Sequence, residues 1–450
     1  MKKQIDMMNG NLVTGMLRFA FPLVVSGILQ VFYGIADTFV LCRFDDPLST
    51  GAVGSAGGII GCVVNVFIGM ALGVNILAAR FYGAGDMDAV KRYGENSIVL
   101  GGVFGLVVCF LGQILARPLM EIIGVAPEIR AKTIIYIRIY MYGVPFSSLY
   151  NFLAAFLRGI GDTKSPTRSL IISGAVNVVL NVVFVKFFKL SVAGVALATA
   201  ISMFVSFAVT LWAYLKSPVG SRLTGIRFNK TVCRSIIAMG LPAGLQNLLA
   251  SVSNTFTTAA MNSFGAAAIS GEMIEMQLEC ILITGITGIN TAIVTFVGQN
   301  LGAKNFGRLD KIFNTGFVME VAYCLIATAV CYPLRYWFVN LFAEGNAEVA
   351  MYALIKMDFI IIPFVTFAFE NAPASMLRGV GGTFQAMLIA AFGCVFRVVW
   401  ILFLLPQYRT VGCLFISYPI VWTLCGVIYY ITYIIKKKQM LKNAVELSVA

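Results

Sequence analysis

The 450-residue chain contains no histidine. Proton chemistry near neutral pH therefore cannot use imidazole and must fall on carboxylates. Charge of either sign is scarce: 12% of residues are charged, against about a quarter in a soluble domain. The 10 cysteines stand apart and make no C-x-x-C pair. Cys42, Cys62, Cys109, Cys394, Cys413 and Cys425 sit singly inside apolar runs and read as small buried hydrophobes, not as a metal or redox centre. No G-x-x-x-x-G-K-[ST] sequence occurs, so ATP is not the direct energy source. These absences exclude a secreted disulfide scaffold, a disordered chain and an ordinary cytosolic enzyme.

Apolar sequence fills the space. Hydrophobic residues make up 59% of the chain and the mean hydropathy is +0.88. That supply matches about twelve spans of roughly 20–22 residues, with almost nothing left for a soluble domain. Apolar runs read against Gly, Pro and charge punctuation place spans near 13–42, 52–82, 94–116, 132–157, 166–188 and 191–215. Six more fall near 232–262, 266–299, 312–334, 350–378, 383–405 and 410–435. The runs are continuous and do not alternate, which excludes a barrel. The start, Met1 to Gly15, does not read as a cleavable signal, because its apolar stretch runs too long and no small-residue cleavage site follows. The expected class is an all-α polytopic membrane protein.

The net charge of +13 has a matching explanation. With both termini on one side, the loops on that side hold 22 of the 33 basic residues, Lys91, Arg92, Lys164, Arg168, Lys304 and Lys311 among them. This bias puts both termini in the cytoplasm and removes the need for a nucleic-acid partner.

The chain also repeats itself. Leu157-Arg158-Gly159-Ile160-Gly161-Asp162-Thr163 returns as Leu377-Arg378-Gly379-Val380-Gly381-Gly382-Thr383. Tyr82-Gly83-Ala84-Gly85-Asp86 returns as Leu301-Gly302-Ala303-Lys304-Asn305, and Phe21-Pro22 as Leu241-Pro242. The offset is 219 or 220 each time and spans six helices, so both halves enter the membrane the same way. Two six-helix lobes related by a parallel pseudo-two-fold repeat follow, one over 1–222 and one over 223–450, and such a pair suits alternating access. With Pro22, Asp37-Thr38, the Gly83–Asp86 stretch, the Arg158–Thr163 motif and their echoes, the chain resembles the multidrug and toxic compound extrusion (MATE) family over nearly its whole length. The resemblance is closer to the DinF-like type. It implies a cation-coupled antiporter, driven by H⁺ or Na⁺, that exports lipophilic or cationic organic compounds from a bacterial cytoplasmic membrane.

Asp37 is the one acidic residue well inside the first six expected spans, and a carboxylate there reads as functional unless the helix end solvates it beside Arg43. Asn181 and Thr199 fall within about 8–12 Å of its depth at 1.5 Å per residue, and Asn177 lies one turn from Asn181. Polar glue between helices would use the same residues. The resemblance implies that Asp37, Asn177, Asn181 and Thr199 form the coupling-cation site. Asn181 is a departure, because the relatives carry a second carboxylate there. An amide oxygen still ligates Na⁺, and Asp37 is the only position at which a metal ion is expected. Pro22, 15 residues before Asp37, resembles the proline at which the family's first helix bends.

The second half carries different charges. Glu272, Glu275 and Glu279 are spaced 3 and 4 apart and share a helix face, with Met273 and Met276 interspersed. Glu275, Met276, Glu279 and Glu370 are the candidates for a cleft that accepts organic cations. Arg397 occupies the repeat position of Asn177, and it is expected to pair with Glu370 as a structural internal cation; Glu370 as a substrate counter-ion is the competing reading. Arg158 and Arg378 read as helix stops. No organic cofactor is expected, and the bundle is large enough to work as a monomer whose other partner is membrane lipid. A lipid-linked or polysaccharide flippase is the rival function, but it would want a basic interior, and the interior charges here are mainly acidic. A membrane-embedded enzyme would want paired catalytic groups at one depth.

Overall fold

The computed structural model describes residues 5–220, 227–343 and 345–449, which are almost wholly helical and contain no strand. The first half forms α1 (Leu12–Phe44), α2 (Pro47–Gly83), α3 (Met87–Ile122), α4 (Pro127–Gly159), α5 (Lys164–Val182) and α6 (Ser191–Leu215). The second half forms α7 (Lys230–Asn262), α8 (Ala266–Gly302), α9 (Leu309–Phe342), α10 (Ala347–Ile361) and α11 (Val365–Gly379). It ends with α12 (Thr383–Phe403), the short α13 (Leu405–Tyr408) and α14 (Val411–Phe415), and α15 (Ser417–Val449). A single tight turn, Ile362–Phe364, joins α10 to α11, where Pro363 cannot donate a backbone hydrogen bond. Together they make the span expected at 350–378.

Among the described residues, eleven helical segments are long and apolar enough to cross a membrane. The remaining expected span is α4, a 33-residue helix whose centre carries Tyr140, Ser148 and Tyr150. It packs against α2, α3 and α6 and buries those side chains, so it needs less apolar surface than a lipid-facing helix.

The sequence repeat is a repeat of helix stops. Gly161 (φ +92°) and Gly381 (φ +86°) end α4 and α11 in the left-handed conformation, with Gly161 N donating to Arg158 O and Gly381 N to Arg378 O, both at 2.9 Å. After α2 and α8 the same left-handed position is Gly85 (φ +75°) in one half and Lys304 (φ +57°) in the other. The second half thus keeps the turn with a residue that disfavours it.

The expected boundary between residues 222 and 223 lies outside the described residues. The chain divides into two compact units, one built on Val25–Gly244 and the other on Asp6–Val24 with Leu245–Ala450. The divisions fall inside α1 and α7, two residues beyond Pro22 and Pro242. Each proline leaves the carbonyl four residues earlier without its helical donor, while α1 runs on as one helix through Pro22.

In the first unit, the early part of α7 lies on α2. A Cβ added to Gly69 would stand 2.4 Å from Gly244 Cα, and one added to Gly240 would stand 2.2 Å from Met70 O. Val232, Cys233 and Ile236 of α7 join Met70, Val74, Tyr93 and Phe156 in one core. The second unit mirrors this with the early part of α1: Phe19 packs edge-on to Phe296 of α8 at 6.2 Å. A Cβ on Gly288, the repeat mate of Gly69, would stand 2.8 Å from Val24 Cγ2.

Candidate functional site

In the first unit, three helices bring the four predicted cation-site residues into one hydrogen-bonded chain. Thr199 of α6 donates its hydroxyl to Val195 O (2.9 Å) and accepts from Asn177 Nδ2 (3.4 Å). Asn177 Oδ1 accepts from Asn181 Nδ2 at 3.1 Å, and the same Asn181 amide donates to the Asp37 carboxylate. Asn177 and Asn181 are buried, while Asp37 is half-buried. At the end of the chain Asn181 Oδ1 is buried without a hydrogen-bond partner. A buried carbonyl oxygen beside a carboxylate is an oxygen pair suited to a hard monovalent cation or a proton.

Local sequence sets this geometry. Asn177 and Asn181 stand one turn apart on α5. Just beyond Asn181, α5 widens into a π-type turn over Val183–Phe187, a feature frequent at functional sites. The face of α5 toward α1 is small: Gly174 has no Cβ where the Tyr33 ring lies, and Ser26 Oγ donates to Thr167 Oγ1 at 2.8 Å. Tyr136 and Tyr140 of α4, both buried, lie within electrostatic reach of Asp37. Neither was singled out in the sequence, where aromatic residues are too common to carry a signal.

The equivalent positions in the second unit, 220 residues on, are Thr257, Arg397, Ile401 and Pro419. They hold no carboxylate and one fixed cation. Arg397 does not form the expected contact ion pair with Glu370. Its Nη1 donates to Asn254 Oδ1 at 2.9 Å, and its guanidinium lies 4.3 Å from the centre of the Tyr418 ring. Glu370, half-buried, acts on Arg397 and Arg378 only through space. The neutral amide and the ring meet the guanidinium at closer range, while its Nε is buried without a hydrogen-bond partner.

Glu272, Glu275 and Glu279 do share a face of α8, and it is turned inward. It meets Lys356 of α10, whose Nζ lies 2.6 Å from Glu275 Oε2 and 3.6 Å from Glu279 Oε2. Gly271 makes the approach: a Cβ there would stand 2.8 Å from Ala353 N, one turn before Lys356. Met276 points away from this cluster and is exposed, so it does not join Glu275. Lys356 was missed in the sequence, although a lone lysine in an apolar span was the available signal. Glu320 of α9 was missed as well. It is fully buried with neither carboxylate oxygen hydrogen-bonded, and the charge acting on it is that of Arg378.

Comparison with known proteins agrees with this architecture. The MatE family model matches residues 22–183 and 242–402, one match per repeat. The chain is 24% identical over 441 residues to the probable multidrug resistance protein YoeA of Bacillus subtilis, covering 94% of each. It is 22% identical over 379 residues to the multidrug export protein MepA of Staphylococcus saprophyticus, covering 83% of this chain and 84% of that one. Among solved structures, a crystal structure of MATE in complex with MaL6 superposes with a TM-score of 0.91 at 18% identity, over 98% of this chain and 100% of the other. A MOP superfamily transporter from Pyrococcus furiosus superposes at 0.89 with 19% identity, over 97% and 98%. With both repeats matched by the family model, the chain belongs to the MatE family, the multidrug and toxic compound extrusion transporters, which are not enzymes.

Proposed function

We propose that the protein is a cation-coupled antiporter that exports lipophilic organic cations, with H⁺ or Na⁺ bound at Asp37 driving the exchange. The observation that carries this reading is the directed chain from Thr199 through Asn177 and Asn181 to Asp37, which ends in an unpaired buried amide oxygen beside a carboxylate. One carboxylate takes up one monovalent charge, so exchange for one monovalent organic cation is electrically neutral and runs on the ion's concentration gradient alone. Glu370 and the acidic face of α8 supply the negative interior that favours cationic substrates. The similar proteins named for multidrug resistance and export support a broad substrate range. In this reading the protein works as a monomer in the bacterial cytoplasmic membrane with both termini in the cytoplasm, as the loop-charge bias favours.

The test is efflux of ethidium from proteoliposomes under an imposed pH gradient or an imposed Na⁺ gradient, wild type beside Asp37→Asn. One gradient is expected to drive efflux in the wild type, and Asp37→Asn is expected to abolish it. Efflux that survives Asp37→Asn under the same gradient refutes coupling at Asp37.

A further inference from the structure

The first unit carries a charged cavity that the coupling chemistry at Asp37 does not use. It has a volume of about 330 Å³. Phe44 and Asp45 line it from the end of α1, Val185 and Lys186 from the π-type turn after α5, and Lys189 and Ser191 from the start of α6. Lys189 and Ser191 both take a left-handed φ of +52°, which folds the connection back until Lys186 and Lys189 border one space. Neighbouring helices fix the rim. Ser191 Oγ lies 3.0 Å from Ser49 Oγ of α2, and Lys132 Nζ of α4 donates to the same Ser49 oxygen at 3.0 Å.

The charges in the cavity are open. Lys186 and Lys189 are exposed, and among the described residues neither makes a hydrogen bond or an ion pair. Lys186 Nζ instead lies 5.2 Å from the centre of the Phe44 ring and 5.5 Å from that of Phe187. Asp45 is half-buried and pairs with neither lysine. Two ammoniums against one carboxylate leave one formal positive charge in excess. Around this centre Phe44, Phe187, Phe188 and Leu190 are exposed. Exposed aromatic rings beside lysines at the end of a spanning helix mark the level of lipid headgroups. The two lysines also stand on the side where α1 ends, against the bias that collects most basic residues in the loops of the opposite side.

We propose that this cavity binds the headgroup of an anionic glycerophospholipid, phosphatidylglycerol. Its phosphate sits between Lys186 and Lys189, a headgroup hydroxyl donates to Asp45, and its acyl chains run along the exposed phenylalanines. Charge selects the class. One phosphodiester neutralises the excess, whereas a zwitterionic headgroup leaves it unmet. Asp45 selects within the class: it accepts from a hydroxyl-bearing headgroup and repels the extra negative charge of a lipid that ends in a bare phosphate. Val185 stands one turn beyond Asn181, and Asp45 about two turns beyond Asp37. A seated lipid therefore braces the helix ends that carry the coupling chain.

The test is native mass spectrometry of the purified full-length protein in detergent, titrated with phosphatidylglycerol, phosphatidylethanolamine or phosphatidic acid. Wild type is expected to hold one tightly bound phosphatidylglycerol whose affinity falls about 25-fold in Lys186→Gln/Lys189→Gln, about fivefold for each lysine. Lys91→Gln/Arg92→Gln removes the same charge from exposed positions on α3 and is expected to keep that lipid. Asp45→Ala is expected to erase the preference for phosphatidylglycerol over phosphatidic acid while binding persists. A Lys186→Gln/Lys189→Gln protein that holds phosphatidylglycerol as tightly as wild type overturns the proposal, as does an equal loss in Lys91→Gln/Arg92→Gln, which would make the effect one of overall charge. Phosphatidylethanolamine bound as tightly, with the same dependence on the two lysines, overturns the anionic headgroup. Displacement of the lipid by excess inorganic phosphate assigns the cavity to a soluble anion and overturns the lipid.

Discussion

Adding a single methyl group to Gly69 should break the crossing of α2 and α7 in the first unit. The Cβ of Gly69→Ala would stand 2.4 Å from Gly244 Cα, 2.5 Å from Gly244 N and 2.7 Å from Ala243 C. Relaxed carbon–carbon contacts lie near 3.5–4.0 Å. The obstacles are backbone atoms, so no side chain can rotate away, and the two helices must part by more than about 1 Å. Overpacking of this kind costs about 3 kcal/mol, which lowers the melting temperature by roughly 6–12 °C. Gly57→Ala, on the same helix, is the control: nothing lies within 4 Å of its added Cβ. Glycine in a helix interior is about 0.5–1 kcal/mol worse than alanine, so Gly57→Ala should be neutral to stabilising. The assay is thermal unfolding of the purified protein in detergent, followed by the loss of the monodisperse peak. Equal melting temperatures for the two variants would refute the close approach of α7 to α2.

Other expectations follow from single contacts. Lys304→Gly should raise stability by about 1 kcal/mol, because the left-handed φ of +57° disfavours a side chain, whereas Gly85→Lys should lower it by a similar amount; differential scanning fluorimetry compares them. Arg397→Met should cost about 2 kcal/mol, and Asn254→Ala should reproduce at least half of the loss while Glu370→Gln does not, since the guanidinium is held by the amide. Lys132, 2.6 Å from Asp46, together with the Ser49 amide, holds the Asp46 carboxyl below its ordinary value. A depressed carboxyl contributes stability above about pH 4 that is lost as pH falls further, so the melting-temperature gap between wild type and Lys132→Met should be present at neutral pH and close in stronger acid. A gap that widens on acidification would refute that assignment.

The helices were readable because each must cover an apolar length, and the stops between them are glycines and prolines whose backbone demands are local. The Asp37 chain was readable for a related reason. Asp37 is the one acidic residue well inside the first six spans, depth puts Asn177, Asn181 and Thr199 near its level, and it was the resemblance to the MATE family that implied their grouping over polar glue between helices. What stayed hidden depends on rotation and partner. Periodicity put Glu275 on one face of α8, but it could not say that Gly271 brings α10 close enough for Lys356 to reach it. Nor could it say that Arg397 prefers Asn254 to Glu370, since opposite charges in neighbouring spans look like a pair until distance decides. The assignment of the first parts of α1 and α7 is of the same kind, because a helix divided between two units carries no mark of it beyond Pro22 and Pro242.

The two repeats separate what a backbone needs from what chemistry needs. One stop keeps its glycine, Gly161 with Gly381, another keeps only its turn, Gly85 with Lys304, and a close helix approach is kept as well, Gly69 with Gly288. Side chains without a cap or crossing role have diverged: Asn177 faces Asp37 through Asn181 in one unit, and Arg397 stands at its mate's position in the other. A fixed guanidinium at that position excludes a mobile cation by occupying its place and by repelling it. Thr257 stands at the position of Asp37 in the second unit, whose helices carry acids elsewhere, among them Glu272, Glu275, Glu279, Glu320, Asp358 and Glu370. If coupling had been shared between the units, swapping Asn177 for arginine should leave half of it. If it belongs to the first unit, Asn177→Arg should uncouple transport as completely as Asp37→Asn in proteoliposomes under the same ion gradient.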